Sequence, residues 1–214
     1  MLAQITELAA SHNLAIFGGF HVMPDDPLPK GTQTLLLIGP AEPGFWLHLA
    51  AQPEWDGAPD PLDRWSRRVI GRMACDLGAK ALFPFGGPPW HPFYTWALRS
   101  GRAWASPVQL LVHSEAGLFA SYRGALALKQ HISLPAPETR PCDSCADQPC
   151  LTACPARAIT PAGYDLPTCH TYLDTPDGQG CMSKGCAVRR ACPLSHAYAR
   201  MDLQSAYHMG QFHR

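Results

Sequence analysis

The stretch Cys142-Asp-Ser-Cys145-Ala-Asp-Gln-Pro-Cys150-Leu-Thr-Ala-Cys154-Pro155 decides how this chain is read. Together with Cys169, Cys181, Cys186 and Cys192-Pro193 it gathers eight of the nine cysteines into two blocks, each closing on Cys-Pro. Thiolates at this density are ligands for a soft metal centre. Zinc ribbons carry paired C-x-x-C knuckles, and only Cys142 to Cys145 has that spacing. A disulfide scaffold needs an oxidising compartment. The start Met1-Leu-Ala-Gln-Ile-Thr-Glu7 has neither a basic region nor an unbroken apolar run to direct export, so a cytoplasmic protein is expected. Iron-sulfur suits both blocks, and zinc is the alternative left open.

In bacterial two-cluster ferredoxins three closely spaced thiolates hold one [4Fe-4S] cube, and the cysteine of the Cys-Pro step serves the other. The same crossing here gives one cube to Cys142, Cys145, Cys150 and Cys192. The second then falls to Cys154, Cys169, Cys181 and Cys186. Four residues rather than two separate Cys145 from Cys150, so the connecting loop bulges outward. The blocks become one interlocked body that needs iron to form. Cys75, inside a helical pattern, reads as an inert buried thiol.

The rest of the 214 residues is 46% hydrophobic, enough for a real core. Net charge is zero and no Lys/Arg run occurs, so no nucleic-acid partner is expected. No apolar stretch reaches the roughly twenty residues that span a bilayer, so no membrane partner is expected. Ser133-Leu-Pro-Ala-Pro-Glu-Thr-Arg-Pro141 stiffens a connection and sets a boundary between residues 1–134 and 135–214. Ahead of it the pattern is mixed: a helix over Ile5 to Ala10, strands over Leu14 to Val22, Thr34 to Ile38 and Ala81 to Phe85. The clearest helix begins at Asp60-Pro61, with a stripe of Leu62, Trp65, Val69, Met73 and Leu77 and a stop at Gly78. Arg64, Arg67 and Arg68 take its solvated faces. Val108 to His113 and Gly117 to Tyr122, joined by Ser114-Glu115-Ala116, predict a hairpin.

Between those elements lies Gly86-Gly87-Pro88-Pro89-Trp90-His91-Pro92-Phe93-Tyr94-Thr95-Trp96, an irregular segment rich in flat side chains. Trp90, His91 and Tyr94 are candidates to stack on a planar cofactor; the opposing reading packs Trp90, Phe93 and Trp96 into the core. His113 and Tyr122, near the expected hairpin, are further candidates for a cofactor pocket, together with Glu115 and Arg123. Gly86-Gly87 lacks the G-x-G-x-x-G frame of a dinucleotide cradle, and no serine stands in a nucleophile elbow. No catalytic residue can be placed.

The order Cys154-Pro155-Ala-Arg-Ala-Ile159, Cys169-His-Thr-Tyr172-Leu173, Gly185-Cys186 and Cys192-Pro193 resembles the iron-sulfur module of epoxyqueuosine reductases and cobalamin-dependent reductive dehalogenases. Leu110-Leu-Val-His-Ser-Glu-Ala-Gly117-Leu-Phe119 is similar to the segment that precedes that module in the same enzymes. The resemblance implies an α+β fold: a nitroreductase-like, cobalamin-processing-like domain over 1–134, then a bacterial two-[4Fe-4S] ferredoxin-like domain with a C-terminal tail over 135–214. It implies an iron-sulfur oxidoreductase passing single electrons to cobalamin, or to a flavin, bound by the first domain. A ferredoxin, flavodoxin or reductase would be the electron donor, with a small molecule or corrinoid as substrate. The alternative is a ferredoxin-type carrier with a docking domain and no substrate of its own.

Overall fold

The computed structural model describes residues 1–160 and 162–213 and is mixed α+β with small antiparallel sheets. In chain order the elements are α1 (Leu2–Ala10), β1 (Leu14–His21), β2 (Thr34–Pro40), α2 (Phe45–Ala50), α3 (Pro61–Asp76), β3 (Lys80–Leu82), α4 (Phe93–Arg99), β4 (Ala103–Ala105), β5 (Leu111–His113) and β6 (Gly124–Leu128). Then follow β7 (Ile159–Thr160), β8 (Gly163–Tyr164), α5 (Leu166–Leu173), α6 (Gln179–Lys184), α7 (Ala187–Ala191), α8 (Pro193–Ala197) and α9 (Asp202–Phe212).

Two compact units result, a sheet unit of Met1–Ala103 with Ser121–Glu138, and a cysteine unit of Trp104–Ala120 with the chain from Thr139 on. One crossing falls inside the proline-rich stretch, where Glu138 donates its N–H to the Gly101 carbonyl (2.9 Å) and pairs with Arg102 (3.1 Å). Two more, at Ala103–Trp104 and Ala120–Ser121, assign Trp104–Ala120 to the cysteine unit, although these residues precede the boundary read from the sequence.

In the sheet unit the strand order is β1-β2-β6-β3, antiparallel throughout, with a bulge in β1 between Ile16 and Gly19. β2 and β6 are buried along their whole length, which explains their unbroken apolar runs, Thr34-Leu-Leu-Leu-Ile38 and Ala125-Leu-Ala-Leu128. α3 packs against β3 and β6, and α1 and α4 against β1. The α3 stripe enters the core at Leu62, Trp65, Val69 and Met73. Gly78 ends the helix with φ +63°, where Gly78 N–H bonds the Cys75 carbonyl (3.1 Å) and Ala79 N–H the Ala74 carbonyl (2.8 Å). Asp60 stands at the cap position, but with φ +53° its side chain makes no capping bond. An extended cap residue is what reaches the first amides.

Two expectations are corrected. Cys75 is exposed, because it lies two residues beyond Met73 and so off the buried stripe. The hairpin does not form over Gly117 to Tyr122. His113 and Gly117 exchange backbone hydrogen bonds (2.9 and 3.0 Å), but β5 takes β4 as its sheet partner. The groups of the expected second arm are bound elsewhere: Leu118 N–H donates to Ser195 Oγ (3.0 Å), and Arg189 donates to the Leu118 carbonyl.

Candidate functional site

The cysteine unit is made of short pieces whose turns present thiols. Cys142 lies in the 3₁₀ turn Pro141–Asp143 and Cys150 in a second, Pro149–Leu151, each opened by a proline that suits a first helical position. Cys192 occupies the extended break between α7 and α8. Val108, Val112, Leu118 and Val188 form an apolar cluster with Cys150, against which Cys142, Cys154, Cys186 and Cys192 pack. Burial pushes the Cys142 thiol up; Arg140 opposes this, and the charges of Cys150, Cys192 and Cys145 add to it. Cys150 is raised by burial and then by Cys192 and Cys145. These four thiols are therefore electrostatic neighbours, although Cys192 comes from the other sequence block.

A second foursome is arranged around Cys169 on α5. Burial raises its thiol most; the Tyr164 hydrogen bond opposes this, and Cys186, Cys154 and Cys181 raise it further. Leu173, Cys181 and Met209 form the apolar cluster here, with Cys169 and Cys186 packed on it, so α9 covers this set through Met209. Sulfur also receives hydrogen bonds: Ala158 N–H to Cys154 Sγ (3.3 Å) and Tyr164 O–H to Cys169 Sγ (3.1 Å). Such donors stabilise charge on sulfur and tune a bound metal centre. Among the described residues, no three His, Cys, Asp or Glu side chains converge as ligands of one metal ion. A cube spreads its ligands over four irons and does not require them to meet at a point. Buried or partly buried thiols, two of them (Cys154 and Cys169) with donors to sulfur, are of the chemistry that cluster ligands need.

The organic-cofactor candidates are divided between the units. Trp90, His91, Tyr94 and Tyr122 belong to the sheet unit, His113 to the cysteine unit. Trp90 is 62% exposed and Tyr94 48%, while Phe93 and Trp96 are buried, so only part of the aromatic segment plugs the core. The His91 ring stacks on Trp96 with centroids 5.5 Å apart. Tyr122 is buried against the edge of Phe17 (6.0 Å), its hydroxyl has no hydrogen-bond partner among the described residues, and burial pushes it up. His113 is 0% exposed, and its Nδ1 accepts the N–H groups of Glu115 (3.1 Å) and Ala116 (3.3 Å), which staples the turn.

Several residues escaped the sequence reading. Tyr164, Ser195 and Arg189 act across the cysteine unit on partners far along the chain or beyond a turn, so no spacing announces them. His213 contacts His170 (Nδ1 to Nδ1, 2.6 Å) and Asp174 (2.9 Å), and Phe212 stacks on His170 at 4.7 Å, fastening the end of α9 beside α5. No described helix is long and apolar enough to cross a membrane. Comparison with known proteins finds no matching family model, no similar curated protein and no similar solved structure. The likeness to epoxyqueuosine reductases and dehalogenases thus rests on the motifs alone.

Proposed function

We propose that the chain is a two-cluster iron-sulfur electron-transfer protein, in which Cys142, Cys145, Cys150 and Cys192 hold one [4Fe-4S] cube and Cys154, Cys169, Cys181 and Cys186 the other. What supports this is that Cys142 and Cys150 each lie close enough to Cys145 and to Cys192 of the far block to feel their charge, while Cys169 feels Cys186, Cys181 and, from the near block, Cys154. Bound there, the cubes would supply one-electron storage and transfer. The chain's own residues orient the ligands and exclude water: Val108, Val112, Leu118 and Val188 pack against Cys142, Cys150 and Cys192 and also against Cys154 and Cys186, and Leu173 and Met209 against Cys169, Cys181 and Cys186. The Ala158 amide and the Tyr164 hydroxyl hold charge on Cys154 and Cys169. On this reading the cysteine unit is ferredoxin-like and the sheet unit nitroreductase-like. The open faces of Trp90 and Tyr94 would take the corrinoid or flavin that accepts electrons for reductive chemistry.

The second reading is the plain carrier. The groove beside His91 has a volume of about 150 Å³, below the roughly 300–1,000 Å³ of sites that enclose larger ligands, and by itself favours neither reading. Anaerobic reconstitution with analysis of iron and acid-labile sulfide tests the shared core of both readings. About eight of each per chain are expected. Cys192→Ala should remove the same spectroscopic signal as Cys142→Ala, and Cys154→Ala the same as Cys181→Ala. Variants that instead group by sequence block would overturn the assignment, and bound zinc would overturn the clusters. Titration with cobalamin and with flavin separates the readings: binding weakened by Trp90→Ala supports the reductase, and no binding of either supports the carrier.

A further inference from the structure

Four arginines project from α3, and three of them have carboxylate partners. Arg64 pairs with Asp56 (2.6 Å), Arg68 with Glu54 and Arg72 with Asp76 (3.0 Å). Arg67 makes no hydrogen bond or ion pair among the described residues. Asp63, one turn earlier, feels its charge but bonds Arg123 (3.5 Å). The Arg67 guanidinium instead lies over two rings, its central carbon 5.7 Å from the Phe83 centroid and 5.3 Å from that of Phe85. Stacking occupies the faces of a guanidinium and leaves its in-plane N–H donors available.

Beside this cation opens the groove of about 150 Å³, lined also by Gly86, Gly87 and His91 and by no carboxylate. A Cβ at Gly86 would stand 2.2 Å from an Arg67 Nη, so glycine lets the guanidinium close against the loop. Gly86 and Gly87 have φ of +107° and +108°, and neither N–H has an acceptor among the described residues. The groove thus brings together an exposed guanidinium with no ion-pair partner among the described residues, an imidazole and two backbone donors with no acceptor among them.

We propose that this groove binds the phosphate group of a small organic phosphate ester. A planar carboxylate is saturated by the guanidinium fork alone. A tetrahedral oxyanion has further oxygens, which the glycine amides and His91 can meet from other sides. The volume fits the anionic group only, and the organic remainder lies outward, beside the exposed Trp90 that follows Pro89 of the lining. The site lies within the sheet unit and does not rest on the iron-sulfur reading.

The test is calorimetric titration of the full chain, cluster-loaded and anaerobic, with inorganic phosphate, phenyl phosphate and acetate. Saturable binding is expected for both phosphates, with phenyl phosphate tighter and acetate weakest. Arg67→Gln should weaken phenyl phosphate roughly 10- to 100-fold, the loss of charge-assisted hydrogen bonds. Iron content should not change, so a failed cluster assignment cannot imitate this result. Absence of saturable phosphate binding, acetate binding as tightly as phosphate, or unchanged affinity in Arg67→Gln would each overturn the site. Should Arg67→Gln not fold, amide chemical shifts of the wild-type protein decide: phosphate must move Gly86 and Gly87, and shifts confined to other residues refute the proposal.

Discussion

In the sheet unit β2 and β6 are buried along their full length, and the core is filled by residues such as Leu35, Leu37, Ile38, Phe45, Trp65 and Ile70. In the cysteine unit no described strand exceeds three residues, the described α-helices run from five to eleven residues, and both apolar clusters contain cysteines. Helices of that length are marginal by themselves in water, so they need tertiary support. A continuous apolar core supplies it in the first unit. The second has small apolar clusters interrupted by thiols, and cross-linking those thiols through metal would supply what burial does not. The contrast teaches that fold and proposed function are separable in the sheet unit and coupled in the cysteine unit.

The largest effect that can break this comparison is metal removal. Chelating the iron of the reconstituted protein should unfold the cysteine unit as a whole and leave the sheet unit folded. Hydrogen exchange would then show protection lost in α5 to α9 and retained in β2 and β6. Retained protection in α6 and α9 after iron loss would show that apolar packing holds that unit.

A smaller effect is expected from the opposite side. Trp65 is 0% exposed, between Phe45 (5.5 Å) and His48 (6.0 Å). Trp65→Ala should destabilise the sheet unit by about 3–5 kcal/mol in denaturant melts followed by amides of β2. Iron content should stay normal. A parallel loss of iron would mean that the units do not keep their stability separately.

The smallest effect sharpens the electronic side. Tyr164→Phe removes one hydroxyl donor to Cys169 Sγ and little volume. The reduced state carries more charge on sulfur and gains more from that bond, so the variant should have a lower reduction potential. A shift of about 20–60 mV corresponds to one hydrogen bond for a one-electron couple. Protein-film voltammetry measures it, and an unchanged potential would show that the hydroxyl does not tune this centre.

Much of the architecture was legible because one dimension suffices for it. The α3 stripe follows helical spacing, and Leu62, Trp65, Val69 and Met73 are buried as that spacing requires. The same spacing excludes Cys75 from the buried face, a signal present in the sequence and overlooked when a lone cysteine is taken as a core residue. β1 and β2 occupy the segments their apolar patterns mark. Within the aromatic segment Phe93 and Trp96 share a buried face of α4 at i, i+3, which excludes Tyr94; Trp90 has the same spacing to Phe93 but precedes the helix and is exposed, which spacing alone does not tell. The hairpin could not be judged locally, because Ser195 and Arg189 take the backbone groups its second arm would have used.

By itself the sequence determined which residue types are available: eight thiols in two blocks, the apolar strand at Thr34 to Ile38, a helix with one buried stripe and a glycine-rich turn after β3, whereas β6 went unread. Tertiary structure alone decided which of these meet. Residues 104–120 joined the cysteine unit, Cys142 came near Cys192 of the far block and Cys169 near Cys154 of the near one, and Arg67, alone among the α3 arginines, was left with rings instead of a carboxylate among the described residues. The physical reason is range. Helix and strand patterns arise from steric and hydrophobic terms between near neighbours, whereas ligand sets, backbone partners and unneutralised charges depend on groups brought together only when distant segments pack.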